Sequence, residues 1–387
     1  MTRINRIVIP VRRYLEGAAA MNRLLAYARG FAELGVEVWF YFMITNEKEE
    51  KPNIVNPKIH YVYLWEHDNS FLRRFRGLEL LKNLFLFRNQ VQKNDVLLLY
   101  GIEYYLFASA LSVSRFSKVF CEITEHPFYH GDSFVKKLNA RVSLSFIKKI
   151  DGLFVISCSL RDYYIAEGVK KGNVCVINMF VDTNRFTNII KSNSEKYIAY
   201  CGYVSIRKDG VDVLIKAFSK VHTLHPDYKL FIIGRGGFPE PLSFFEDLAE
   251  EYGVKDSVVF TGEVRAEEMP QLLVNADILA LARPDSLQAR NGFPTKLGEY
   301  LATGNPIVVT RVGEIPHFII DGESGVLAEE SNVDDFADKL SWVIEHPELA
   351  QNIGNNGRGL VESEFSYLEQ SKKALSFICD RICNREL

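Results

Sequence analysis

The stretch ARNGFPTKLGEYLATGNPIVVT, running from Ala289 to Thr310, decides how the rest of the chain is read. Pro294 stands where a first helical turn would open, an apolar-periodic segment follows, Gly304 supplies a stop, and Ile307 to Val309 make a β-branched run. The pattern is loop, helix, strand. A helix opening near Pro294 or Thr295 aims the free N–H groups of its first turn and the positive end of its dipole into the preceding loop, where an anion fits. Glu299 lies about one turn inside, where a carboxylate accepts two hydrogen bonds from a vicinal diol such as a ribose. Lys296 adds a cation beside that anion site. The plainer reading of the same residues is a Pro-started helix with an exposed Glu and Lys.

Working outward, a chain of 387 residues with 47% hydrophobic and 25% charged content reads as a folded soluble protein of two domains, and its alternating strand and helix patterns make it α/β. No uncharged apolar run is long enough to span a membrane. The opening strand pattern, Ile4 to Ile9, lacks the apolar core of a signal peptide, so a cytoplasmic location is expected. The six cysteines show no paired CxxC spacing and fall inside apolar patterns, as reduced core residues do; no metal site is predicted. Charge is uneven. Residues 1–190 hold 26 Lys and Arg against 18 Asp and Glu, a net of +8, while the remainder nets −11. The two halves are therefore expected to meet different partners, the basic one an anionic surface and neither a nucleic acid.

In the N-terminal half, a strand at Ile4 to Ile9, a small-residue loop containing Gly17 and Ala18, and a helical pattern from Met21 to Leu34 open a Rossmann-like unit, without the GxGxxG fingerprint. Strand patterns recur at Val36 to Met43, His60 to Tyr63, Val96 to Tyr100, Lys118 to Ile123, Leu153 to Ser157 and Val174 to Asn178. Helical patterns between most of them call for a parallel sheet covered on both faces, with ligands at the carboxyl ends of its strands. Residues 71–88, FLRRFRGLELLKNLFLFR, admit two readings. They form either a crossover helix with Leu and Phe on the sheet, or a basic amphipathic helix on an anionic membrane, peripheral at its inner face. Glu125 and His126, just past the strand ending at Ile123, either work at a site or cap the next helix. Glu103 is a weaker candidate.

Thr187 to Lys196 is polar and unpatterned, which predicts a linker and domains at 1–190 and from 191 onward. A second sheet starts at Tyr197. Gly202 at its first strand end, then a loop with Arg207 and Lys208, then a helix from Val213, make either a phosphate site or an exposed basic turn. Gly234 repeats the strand-glycine theme, as a flexible turn or as a close backbone approach to a ligand. Further strands are expected from Val258 and from Asp277, then a loop from Asp285 to Asn291, turns at Gly313 and Asp321, and helix beyond Ser331.

The segment around Glu299 resembles the signature of the retaining, family 4-like (group 1) nucleotide-sugar glycosyltransferases of GT-B fold: Glu, seven residues, Glu, a small-residue turn, a strand. The second Glu is Glu299; the first falls on Asn291, which offers hydrogen bonds but no charge. The resemblance runs through residues 197–330 in motif order and more weakly upstream. It implies two Rossmann-like domains facing across a cleft, an acceptor domain at 1–190 and a donor domain at 191–365, with a C-terminal helix at 366–387 crossing back onto the first. It implies that Gly17 and Ala18 abut the diphosphate and the acceptor, and that Thr124, Glu125 and His126 lie near the transferred sugar. Lys208 matches the family's phosphate lysine, with Arg207 supplying the charge that Tyr203 lacks. Val264 falls in the segment whose backbone holds the base. Asn291 and the backbone of Gly292 and Phe293 would touch sugar hydroxyls, Thr295 and Lys296 the diphosphate, and Glu299 the ribose.

The activity so implied is hexosyl transfer from a UDP or GDP sugar to a saccharide or lipid-linked glycan, in cell-surface polysaccharide synthesis. The family retains the anomeric configuration and uses no metal or further cofactor. Lys208, Glu125, His126 and Asn291 would carry catalysis. Two alternatives share the fold: a nucleotide-sugar 2-epimerase, which needs carboxylates that position 291 lacks, and a catalytically silent nucleotide-sugar binder.

Overall fold

The computed structural model describes residues 4, 6–15, 19–44, 52, 55–64, 76–101, 104–128, 133–192, 194–237 and 239–383. It divides into two compact units, Met1–Phe180 with Tyr367–Leu387, and Val181–Ser366.

In the first unit, elements alternate along the chain: β1 (Arg6–Val11), α1 (Ala19–Glu33), β2 (Glu37–Phe42), β3 (Ile59–Tyr63), α2 (Arg76–Gln90), β4 (Val96–Tyr100), α3 (Tyr104–Val113), β5 (Lys118–Ile123), α4 (Phe134–Ile147), β6 (Gly152–Val155), α5 (Cys158–Ala166) and β7 (Val174–Val176). The strands form one parallel sheet of order β3-β2-β1-β4-β5-β6-β7. Because successive strand residues point to opposite faces, each strand feeds two cores. Val8, Leu97, Leu99, Val119, Cys121 and Leu153 pack under α2 to α5. Ile7, Ile9, Val96, Leu98, Phe120 and Phe154 pack on the other face with Tyr27, Ala28 and Phe31 of α1.

The second unit repeats the scheme: β8 (Tyr197–Cys201), α6 (Ile206–Asp209), α7 (Val211–Leu224), β9 (Lys229–Ile233), α8 (Leu242–Glu251), β10 (Val258–Gly262), α9 (Met269–Asn275), β11 (Ile278–Leu281), α10 (Leu287–Asn291), α11 (Thr295–Thr303), β12 (Ile307–Thr310), α12 (Ile315–Phe318), β13 (Val326–Ala328), α13 (Val333–Glu345) and α14 (Pro347–Glu364). Its parallel sheet has the order β10-β9-β8-β11-β12-β13. The strand order reverses direction between β1 and β4 in one unit and between β8 and β11 in the other, and such switch points are where open α/β sheets bind ligands.

The deciding stretch folds as read. Helix α11 opens at Thr295 after Pro294 and ends at Gly304, whose φ of +77° is the left-handed conformation that glycine adopts without a Cβ penalty. Three details differ from the sequence reading. Residues Leu287–Asn291 are a short helix rather than loop, because Ser286 caps it by accepting from the Ala289 N–H at 3.1 Å. The three-residue strand β13 escapes the pattern because so short a run carries no periodicity. The chain enters the second unit at Val181, ahead of the linker expected at 187–196. There the Val181 N–H donates to Phe365, Phe186 is buried, and Ser192 and Lys191 bond to Asn275 and Asp277. A last helix, α15 (Tyr367–Cys383), belongs to the first unit, where Ala374 and Ile378 join the core beneath α1 and Gln370 accepts from the Asn178 N–H at 2.9 Å.

Candidate functional site

Beside the switch point of the second unit, β8 and its neighbour β9 run into Gly202 and Gly234, with φ of +147° and +139°. A Cβ on Gly234 would lie 1.9 Å from the Gly202 carbonyl oxygen, so the two turns touch through bare backbone. The Gly202 N–H donates to Ile233 at 2.8 Å and the Val204 N–H to Arg235 at 3.0 Å. Ser205 then caps α6, accepting from the Lys208 N–H, and this single turn lifts Arg207 and Lys208 into solvent while turning Asp209 inward.

Asp209 is wholly buried, and its Oδ2 accepts from the Tyr200 hydroxyl at 2.7 Å and from the Lys296 ammonium. Burial works against the Asp209 charge, yet Lys296, Arg283 and the Tyr200 hydroxyl outweigh it and hold the carboxyl below its ordinary range. Burial pushes the Lys296 ammonium below its ordinary value despite Asp209, and the neighbouring charge of Lys208 pushes the same way. The Lys296 ammonium also lies over the Tyr200 ring at 4.4 Å and fills the space where a side chain on Gly202 would stand. Lys296 is therefore a half-buried cation paired with Asp209 and not the exposed charge of the plainer sequence reading.

One turn further along α11, Glu299 accepts from the Arg185 guanidinium, which reaches it from the turn Thr183–Phe186 and also donates to the Ala266 carbonyl at 3.2 Å. Val264 lies half-buried just upstream of that carbonyl. Tyr300, the next residue of α11, accepts from the Cys201 N–H at 2.7 Å and so fixes the helix against the end of β8. Asn291 closes α10 with its amide donating to the Leu287 carbonyl at 3.0 Å. The Gly292 N–H donates to Gln288 at 2.9 Å, and Phe293 is buried against Phe318 and Phe365. The structure thus gathers Gly202, Gly234, Lys208, Thr295, Lys296 and Glu299 around the ends of β8 and β9 and the start of α11. Thr295 is exposed at that start.

In the first unit, Thr124 hydrogen-bonds the Tyr100 hydroxyl at 3.0 Å, Glu125 is exposed, and His126 is buried against Tyr163 with ring centroids 4.4 Å apart. His126 Nδ1 accepts from the Phe128 N–H at 3.2 Å, so the neutral ring carries its proton on Nε2 and presents a donor. Gly17, Ala18 and Glu103 lie outside the described residues. In the core of this unit, Glu122 accepts from Arg23 at 2.7 Å and from the Tyr27 hydroxyl at 3.1 Å, and Arg23 donates to the Ile177 and Asn178 carbonyls at 2.9 Å each. Among the described residues no three His, Cys, Asp or Glu side chains converge as a metal site. No described helix is long and apolar enough to cross a membrane. Sequence reasoning missed Asp209, Arg185, Tyr200, Arg23 and Glu122. Asp209 was in view beside Lys208, but its partner lies 87 positions away.

The site lies within segments that match known families. Residues 182–360 match the model of the glycosyl transferases group 1, and residues 21–185 that of Glycosyltransferase Family 4. The chain belongs to the group 1, family 4 glycosyltransferases. Within this glycosyltransferase family it is 30% identical over 190 residues to a GDP-mannose-dependent α-(1-6)-phosphatidylinositol monomannoside mannosyltransferase of Mycolicibacterium smegmatis, covering 46% of this chain and 49% of that one. It is 31% identical over 174 residues, 45% of this chain and 42% of the other, to an N-acetyl-α-D-glucosaminyl L-malate synthase of Bacillus anthracis. The matched stretches thus span under half the length of these relatives. The fold is that of GT-B glycosyltransferases: the Anabaena protein Alr3699/HepE, crystallised with UDP, superposes with a TM-score of 0.74 at 15% identity, over 97% of this chain and all of that one.

Proposed function

We propose that the protein transfers a sugar from a UDP or GDP sugar to a hydroxyl of a saccharide or lipid-linked glycan acceptor, with retention at the anomeric carbon, in cell-surface polysaccharide synthesis. The observation that carries this reading is the opening of α11 at Thr295 beside the touching turns at Gly202 and Gly234, with Glu299 one turn inside. The second unit would hold the donor: the first-turn N–H groups and Lys208 face the diphosphate, and Glu299 accepts from the ribose hydroxyls. The hard step is charge accumulating on the departing diphosphate. Fixed N–H dipoles and cations lower it because they need no reorganisation as the charge develops. The first unit would receive the acceptor, with the His126 Nε2–H donating to a sugar oxygen and Glu125 beside it. Asn291 would hydrogen-bond the sugar at the position where the resembling signature carries its first Glu. The reading requires no metal or further cofactor. The name of one relative, which is GDP-mannose-dependent, and the UDP bound to the Anabaena neighbour support a nucleoside diphosphate sugar without choosing the base.

Calorimetric titration with UDP and GDP, followed by anomeric analysis of product formed from UDP or GDP sugars with an acceptor pool, tests the proposal. A nucleotide-bound protein that turns over donor alone to a C2-epimer would be an epimerase. One that binds donor and never turns over would be a silent binder.

A further inference from the structure

Helix α4 has two unlike halves. Its C-terminal end is rooted in the sheet: Ile147 is buried in the core, with Leu144 and Phe146 packed against it. From Phe134 to Val142 no residue is buried. Phe134, Val135, Leu138 and Val142 are 80%, 63%, 51% and 38% exposed, and at 100° per residue they share one stripe along the outside of the helix. The solvation cost of leaving such a stripe bare is what exposed apolar patches on soluble proteins signal.

The charges around the stripe say what would cover it. Between Ser133 and Ile150 the chain carries Lys136, Lys137, Arg141, Lys148 and Lys149 and no acidic residue. Helical spacing sets Arg141 and Lys148 along one flank of the stripe, and Lys149 extends it past the C-terminal end. A second copy of this face would bring five cations against five. An anionic bilayer instead accepts the apolar side chains among its acyl chains while its headgroups meet the cations. Helix α2 repeats the arrangement on the same side of the sheet. Phe87 and Asn83 are buried beneath it, while Leu81 and Phe85 are 64% and 63% exposed, with Lys82 and Arg88 also exposed. Residues 71–75 of the basic segment singled out in the sequence lie outside the described residues.

We propose that the outward stripe of α4, Phe134, Val135, Leu138 and Val142 flanked by Arg141, Lys148 and Lys149, docks the protein on an anionic phospholipid surface, with the outer side of α2 as its neighbour. The docking is independent of the reaction assigned above, since it requires only the first unit's surface. Helix α4 opens at Phe134, eight residues after His126 in the chain, so docking would bring that part of the first unit near the bilayer.

The test is co-sedimentation of the full chain with vesicles of phosphatidylcholine alone and of phosphatidylcholine mixed with phosphatidylglycerol, at low and high salt. The parent is expected to bind the mixed vesicles and to release as salt screens the cations. F134S/L138S and K148E/K149E should each weaken binding by about tenfold or more, given roughly 1 kcal/mol per cation at an anionic surface. Circular dichroism checks that both remain folded, as substitutions at exposed positions should allow. Failure to bind mixed vesicles at low salt, or equal binding by parent and variants, overturns the proposal. So does lipid-free self-association in sedimentation velocity that F134S/L138S abolishes, which would give the stripe to a second copy.

Discussion

The Asp209 carboxylate lies wholly buried against the ammonium of Lys296, joining the turn after β8 to the first turn of α11. An ion pair taken out of water is costly to half-remove, because the remaining charge has lost both water and partner. Asp209→Asn and Lys296→Met are each expected to lower unfolding free energy by about 3 kcal/mol, while the double variant should fall well short of their sum. Denaturant titrations of the four proteins check this. Additive losses would mean that the pair is not coupled.

Arg185 bears on the same helix. Its guanidinium holds one oxygen of Glu299 and leaves the partly exposed carboxylate facing a single way. If Glu299 grips the ribose, Glu299→Ala should weaken nucleotide binding by roughly tenfold, the loss of one or two charge-assisted hydrogen bonds. Arg185→Met should weaken it less, and adding it to Glu299→Ala should cost nothing more. Calorimetry with UDP and GDP decides. Tighter binding by Arg185→Met would show that Arg185 competes with the ribose instead of orienting its acceptor.

What the sequence revealed follows from range. Alternating helix and strand patterns, the Pro294 start and the Gly304 stop are local signals, and both sheets were legible from them. The role of Lys296 was not, because its environment is set by Asp209 and Tyr200, which reach it only after β8 and α11 have packed. Arg185 stands 114 positions from Glu299, and nothing local ties the two. Residues 187–192 look unpatterned in a row for the same reason: Ile190, Lys191 and Ser192 bond to Gln271, Asp277 and Asn275 only once the chain has folded.

Gly234 and Gly304 make a paired test of backbone strain. Both have positive φ, but a Cβ on Gly304 would meet nothing closer than 3.5 Å, whereas on Gly234 it would lie 1.9 Å from the Gly202 oxygen. Gly304→Ala should therefore cost about 1 kcal/mol, the conformational term alone. Gly234→Ala should cost roughly 2–4 kcal/mol and also weaken nucleotide binding, since the turn at Gly202 must move. Thermal and denaturant melts, with nucleotide titration, separate the two; equal losses would mean that the Gly202 turn yields freely.

His126 gives a pH signature of known sign. Burial pushes its pKa below the ordinary 6.5, so the folded protein binds fewer protons than the unfolded chain in the window below that value. The stability carried by the neutral ring is complete above about pH 6.5 and is lost as pH falls towards the depressed folded value. Protonation also turns Nδ1 from an acceptor into a donor facing the Phe128 N–H. His126→Asn keeps an acceptor near the Nδ1 position, cannot titrate, and loses the Nε2–H. Its unfolding free energy should vary less with pH in the window below 6.5 than the parent's. Its sugar transfer should fall by about tenfold or more at pH 7.5, where the parent ring is neutral, if that N–H contacts the sugar. Equal pH slopes would remove His126 from the titration, and a flattened slope with full activity would leave it a structural residue.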